Sequence, residues 1–354
     1  MVNDVLKLKS SWEKLKSTSL PIVLYGTGNG ADKVIDELER LGIKLSGVTA
    51  SDGFVRTRSF RGFEVKPLNS FEKEYGDFIV IIGFGTNRDE VIDNIKSIRE
   101  RHRVLVPCVP VYGGEIFNRE FMEKHENELE AVYSMLADEK SKEVFVDFLK
   151  FELTGELDYL FNSETDKSEA FRNILKLGKN ENYLDLGAYR GDTVDEFLKY
   201  TDGKYASITA LEPNKKSFEK LKAHTLHLKN CNALNLGIYS TDCSLGFDND
   251  FGRGSSAVIF EGGQAVTSVD LLSAELNIAF SYIKADVEGC EYEMLIGAEN
   301  TLKSCKPKLN IAAYHRSADI FALPLMIKKA NSDYRIFLRH HRYIPCWDLN
   351  LYCI

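Results

Sequence analysis

The cysteines of this 354-residue chain lack any structural spacing. All seven, at 108, 231, 243, 290, 305, 346 and 353, are scattered, and none pair as C-x-x-C. That pattern argues against both a disulfide framework and a structural zinc site. Basic charge is also short. With 45 Lys and Arg against 53 Asp and Glu, the net charge is −8, which argues against duplex nucleic acid as a partner, because phosphate binding needs a basic face. No run approaches membrane-spanning length, and the opening MVNDVLKLKSSWEKLKS has no apolar leader core. The expectation is therefore a cytoplasmic protein with no membrane partner. No solenoid-length repeat occurs. The hydrophobic share, 44%, suits packed cores, and the length exceeds a typical single domain, so two domains are expected.

After a short amphipathic helix, LPIVLYGTGNGADKVIDELERLGIKLSGVTAS at 20–51 reads as strand, glycine turn, helix, strand, the opening of a Rossmann-like unit. DFIVIIGFG at 77–85 and RVLVPCVPV at 103–111 supply further strands, so residues 1–113 form a small α/β domain. GTGNG has two readings. Gly26, Gly28 and Gly30 either cradle the phosphates of a nucleotide or nucleotide sugar on the following helix, or only make a tight turn. Ser51-Asp52, after the next strand, is a poor match to a ribose-binding acid. Residues 114–178 are charged, glycine-poor and helical, a connector whose acids Glu123, Glu126, Glu128 and Glu130 read as a solvated face.

The chemistry concentrates further on, at YLDLGAYRGDT (183–193) and ITALEPN (208–214). An apolar strand leads through Asp185 into a loop freed by Gly187 and Gly191. A helix then opens at Asp192 and Thr193, either of which can cap it, and Glu212 closes the next strand. Glu212 offers two acceptor oxygens where a ribose would present its hydroxyls. A dinucleotide site wants G-x-G-x-x-G under a pyrophosphate. Here the loop is D-x-G-x-x-x-G, and acids before and behind it repel phosphate and favour a cation. S-adenosyl-L-methionine (SAM) carries a sulfonium, an ammonium and a ribose, so the residues favour it over NAD. The bland alternative is a strand-turn-helix with solvated caps and no ligand.

From Tyr183 to the C-terminus the chain resembles the FkbM-type SAM-dependent methyltransferases. The likeness rests on YLDLGAYRGDTVDEF, ALEPN, SVDLL (268–272), YIKADVEGCEYEMLIGA (282–298) and AYHRSADIFALPLMI (313–327). Lys284, Asp286, Glu288, Gly289 and Glu291 form its most specific run. The resemblance implies a class I methyltransferase Rossmann-like fold over 179–354, with a seven-stranded sheet whose last strand is antiparallel. A smaller Rossmann-like domain and the helical connector precede it. The resemblance also implies SAM as donor and, most often, O-methylation of a sugar or natural product.

Asp185, Glu212, Asp286 and His315 fall at carboxyl ends of the strands as read, and should converge on one cleft. Asp185, Gly187, Tyr189, Gly191, Asp192, Thr193, Glu212, Asn235 and Asp286 are the expected cofactor contacts. His315 reads either as a neutral imidazole, the candidate base for an acceptor hydroxyl, or as a structural histidine bonded to a loop carbonyl, with Asp286 and Glu288 orienting that hydroxyl, binding the cofactor's ammonium or holding a divalent ion. With no third ligand evident, no metal is assigned. Arg253, Tyr314, Arg316, Arg339 and His340, with His341, are expected at the acceptor; Arg339, His340 and His341 read equally as a surface turn, as does Arg253, and Tyr314 reads equally as packing. Cys290, at a helix start, reads as packing. The partner expectations are a small-molecule or glycan acceptor, a nucleotide or nucleotide sugar at the GTGNG turn, and a homo-oligomer. Two further functions compete: a nicotinamide-dependent oxidoreductase using GTGNG on a sugar nucleotide, and a non-catalytic protein that binds SAM or a nucleotide sugar.

Overall fold

The computed structural model describes residues 1–51, 59–110, 112–241, 243–247, 257–259 and 264–354. They form two compact units. One comprises Met1–Glu130, Glu143–Glu164 and Arg342–Asp348; the other comprises Ala131–Lys142, Thr165–His341 and Leu349–Ile354. This differs from the expected boundaries at 113 and 178. The 114–178 segment is helical, but it supplies both units instead of forming a connector of its own. A seven-residue stretch near the C-terminus joins the first unit because its backbone pairs there: Ile344 and Thr86 exchange both amide hydrogen bonds, at 2.7 and 2.9 Å.

The first unit holds a sheet of β1 (Ile22–Tyr25), β2 (Gly47–Thr49), β3 (Ser59–Phe60), β4 (Phe63–Lys66), β5 (Ile79–Ile82) and β6 (Arg103–Leu105), in the order β3-β4-β2-β1-β5-β6. β1 (IVLY) and β5 (IVII) are buried along their whole length, as expected of parallel strands covered on both faces. The helix Asn29–Arg40 turns Ala31, Val34, Ile35 and Leu38 onto this sheet at helical spacing. Close packing explains two glycines of the β1–helix crossing. A Cβ on Gly30 would stand 2.7 Å from the Gly83 carbonyl oxygen, and one on Gly83 would stand 2.8 Å from Ala31 Cα.

The second unit carries β7 (Asn182–Leu186), β8 (Ser207–Leu211) and β9 (Cys231–Leu234) of its main sheet, then β10 (Gly237–Ile238), β11 (Cys243–Phe247), β12 (Ala257–Ile259) and β13 (Gln264–Thr267). The main sheet continues with β14 (Tyr282–Ala285), β15 (Lys308–Ala312), β16 (Ile336–His340) and β17 (Leu349–Cys353). Its order is β16-β17-β15-β14-β7-β8-β9, and β17 runs antiparallel to both neighbours. The number of strands, seven, and the antiparallel last one are as expected. β10 to β13 form a separate four-stranded sheet in the order β10-β13-β11-β12. The strand expected near Asn235–Tyr239 is therefore displaced: Cys231–Leu234 enters the main sheet, and Gly237–Ile238 joins the smaller one. The helix expected over 290–302 divides into Glu291–Ile296 and Glu299–Ser304. It breaks at Gly297, where an added Cβ would lie 2.5 Å from the Tyr239 carbonyl oxygen.

Beneath the strand ends, Tyr183 stacks on Phe197 and on Tyr282, with ring centroids 4.3 and 4.9 Å apart. All three rings are buried.

Candidate active site

β14, β7 and β8 are adjacent and parallel, so Asp286, Asp185 and Glu212 come to the same edge of the sheet. Asp185 is fully buried on β7 and accepts a hydrogen bond from the Thr193 hydroxyl. Burial raises its pKa, while Lys284 Nζ, 3.9 Å from Oδ1, pulls the other way. Glu212 receives the Tyr189 amide on Oε2 at 2.9 Å and the Asn214 amide on Oε1 at 2.8 Å. Each oxygen keeps a second lone pair for a ligand hydroxyl. Burial raises the pKa of Glu212 as well.

The glycine loop is shaped by its own packing as much as by a ligand. Gly187 has φ +79°, and a Cβ there would fall 2.0 Å from the Asp286 carbonyl oxygen. Gly191, at φ +99°, is the N-cap of the helix Asp192–Tyr200. No side chain caps that helix: Asp192 is exposed, and Thr193 donates to Asp185 instead. The capping role expected of these two residues gives way. Tyr189, also at positive φ, is 44% exposed, with Arg190 over its ring. The Asn235 side-chain amide donates to the carbonyls of Glu212 and Pro213, at 2.8 and 2.9 Å. Asn235 thus braces the turn that carries Glu212.

His315, after β15, completes the cluster. Its ring is buried, with Nδ1 2.8 Å from Glu291 Oε1, and Nε2 3.4 Å from Asp286 Oδ1 and 3.8 Å from Glu288 Oε2. Burial pulls the imidazole pKa down, but Glu291, then Asp286 and Glu288, outweigh it and raise it to about 9. A ring protonated at pH 7 cannot take a proton, so the neutral base expected at His315 is corrected: three carboxylates hold it charged. Glu291, fully buried, is the site residue that sequence reasoning missed. It stood inside the most specific run, YIKADVEGCE, yet nothing in strand or helix periodicity says that its side chain turns back to the Val287 amide, 2.8 Å away, and to His315. Tyr314 Oη donates to the Asp286 carboxylate at 3.2 Å, and the Arg316 amide donates to Asp319 at 2.8 Å. Burial, reinforced by Glu291, pushes Asp319 up to about 7. Cys290 is buried and its thiol is pushed up to about 12, consistent with packing.

Arg339 and His340 stand elsewhere. Both lie on β16, 2% and 1% exposed. The Arg339 guanidinium pairs with Asp138 at 2.7 Å and Glu169 at 3.1 Å, and His341 bonds the Thr165 carbonyl and Tyr352 Oη. These residues hold the sheet edge, and neither the acceptor role nor the surface turn expected of them survives. Arg253 lies outside the described residues, as does Asp52. In the first unit, Gly28 caps the helix Asn29–Arg40 without a side-chain bond, and a Cβ there would meet nothing within 4 Å. Among the three glycines expected at a phosphate, it is the one that packing does not explain. A cavity of about 410 Å³ beyond β1 and β2 is lined by residues that include Tyr25, Thr49, Ser51, Asn94, Arg88 and Arg101.

The sheet order and the acid-tipped strands define a class I methyltransferase fold. Residues 185–345 match the family model of the methyltransferase FkbM domain. A methyltransferase FkbM from Methylobacillus flagellatus KT has a similar fold, with a TM-score of 0.73 at 20% identity over 100% of this chain and 93% of that one. Aeropyrum pernix fibrillarin, solved with natively bound S-adenosyl-L-methionine, aligns at a TM-score of 0.35 and 11% identity over 53% of this chain and 73% of its own. No curated protein matches. The chain therefore carries a methyltransferase domain whose cofactor is SAM. Its donor set suits that molecule: Glu212 keeps free lone pairs, and Asp185 Oδ1 is buried without a hydrogen-bond partner among the described residues. Among the described residues no helix is long and apolar enough to cross a membrane.

Proposed function

We propose that the protein methylates a hydroxyl of a saccharide, nucleotide sugar or related hydroxylated metabolite, and that it works in the cytosol, as its scattered thiols, six of them free among the described residues, favour. The observation that carries this reading is the meeting of Asp185, Glu212 and Asp286 at the ends of three adjacent parallel strands. When bound, SAM supplies a methyl group on a sulfonium. Glu212 binds ribose hydroxyls, and the negative field of the cleft attracts a cationic ligand. Asp286 is more than one-third exposed and tied to Tyr314, so it is placed to orient an incoming hydroxyl and accept its proton. Alignment of donor and acceptor at contact distance supplies most of the catalysis in such a displacement.

The test is incubation with labelled SAM and a panel of nucleotide sugars and glycans, read by mass for one added methyl on oxygen. A methyl gained on carbon or nitrogen overturns the hydroxyl acceptor while leaving the methyltransferase assignment in place.

A further inference from the structure

The cluster around His315 does more than hold a proton. Asp286, Glu291 and His315 each offer one donor atom, and these atoms all lie within 4.8 Å of one another. His315 Nε2 stands 3.4 Å from Asp286 Oδ1. Neighbouring ligands on one ion, with bonds of about 2.1 Å, are separated by roughly 3 Å. Glu291 Oε1 is committed to the Val287 amide. Its Oε2 is buried, with no hydrogen-bond partner among the described residues, in a side chain that is fully enclosed. A buried carboxylate oxygen with an open lone pair is costly unless something fills it. Glu288 adds a further acid at the exposed rim, 3.8 Å from His315 Nε2.

We propose that Asp286, Glu291 and His315 form a binding site for one divalent cation. Two carboxylates and an imidazole suit a hard or borderline ion such as Mn²⁺ or Mg²⁺ and disfavour a soft one. Three protein donors leave coordination positions open on the side of Asp286, which is the exposed member of the set. Only the ion's task, to hold and polarise the acceptor hydroxyl, rests on the methyltransferase reading. The site itself stands on the donor geometry.

The experiment is calorimetric titration of the full chain with Mn²⁺, beside titration with S-adenosylhomocysteine before and after EDTA treatment. One Mn²⁺ per chain is expected, weakened about tenfold or more in Asp286→Asn and lost in Glu291→Gln, with adenosylhomocysteine still bound by the EDTA-treated wild type. Asp286→Asn changes a partly exposed side chain, so it remains informative if Glu291→Gln fails to fold. Absence of saturable Mn²⁺ binding in a wild type that binds adenosylhomocysteine overturns the proposal. Mn²⁺ binding of unchanged affinity in Asp286→Asn also overturns it, because the ion then sits elsewhere. If Mn²⁺ binds as described and adenosylhomocysteine does not, the cation site stands and the methyltransferase reading falls.

Discussion

Glu212 spends one lone pair of each carboxylate oxygen on a loop amide and keeps a second on each. Glu212→Ala removes both the ligand's acceptors and the tie that holds the Tyr189 loop. Its affinity for SAM should fall roughly tenfold or more, about 1.4 kcal/mol at the least, by calorimetry. Gly187→Ala should cost stability for a different reason. Its Cβ would collide with the Asp286 carbonyl in a left-handed backbone, so a loss of about 2 to 3 kcal/mol is expected in denaturant unfolding. A third residue sets a pH dependence. Burial pushes Glu152 up to about 7 against the counter-pull of the Cys108 thiol. A carboxyl whose folded pKa lies above its unfolded value binds more protons when folded, so its contribution is fully present below about 4.5 and is lost as pH rises through 7. Glu152→Gln should therefore stabilise the protein at pH 8 by on the order of 2 kcal/mol and leave it nearly unchanged at pH 5; melting curves at the two values decide this.

At the scale of elements, β16 is locked by charge as well as by pairing. Arg339 is buried between Asp138 and Glu169, and the Ser141 hydroxyl receives the Leu338 amide. Asp138→Ala leaves a buried guanidinium short of a partner, and a loss of about 3 kcal/mol is expected in urea unfolding, where a surface ion pair would cost under 1. Strand order explains why the site residues meet. The insertion of β17 between β15 and β16 leaves β15, β14, β7 and β8 as consecutive parallel neighbours, so four loops open on one edge. The apolar runs of these strands and the acids that follow them were readable in sequence. The edge strand Cys231–Leu234 was not, because it is only partly buried and its residues do not form an apolar run.

At the scale of the molecule, each unit is assembled from separated stretches of chain. The first needs Glu143–Glu164, where the Gly155 carbonyl accepts the Val106 amide, and Arg342–Asp348, where Trp347 fills the space left by Gly85. A fragment ending at residue 113 lacks both. It should melt without the cooperative transition that the full chain shows, as followed by circular dichroism; a fragment that melts cooperatively at the full-chain temperature would show that these returning segments add nothing.

The methyltransferase domain and its acid-tipped loop were legible in the sequence because they are local: an apolar strand, the glycines that release the chain, and an acid at a fixed distance carry their meaning within a few residues. The state of His315, the service of Glu291 and the withdrawal of Arg339 and His340 into β16 were decided by tertiary structure alone. A side chain's charge and partners depend on which distant groups the fold brings within a few ångströms, and on how little water remains between them.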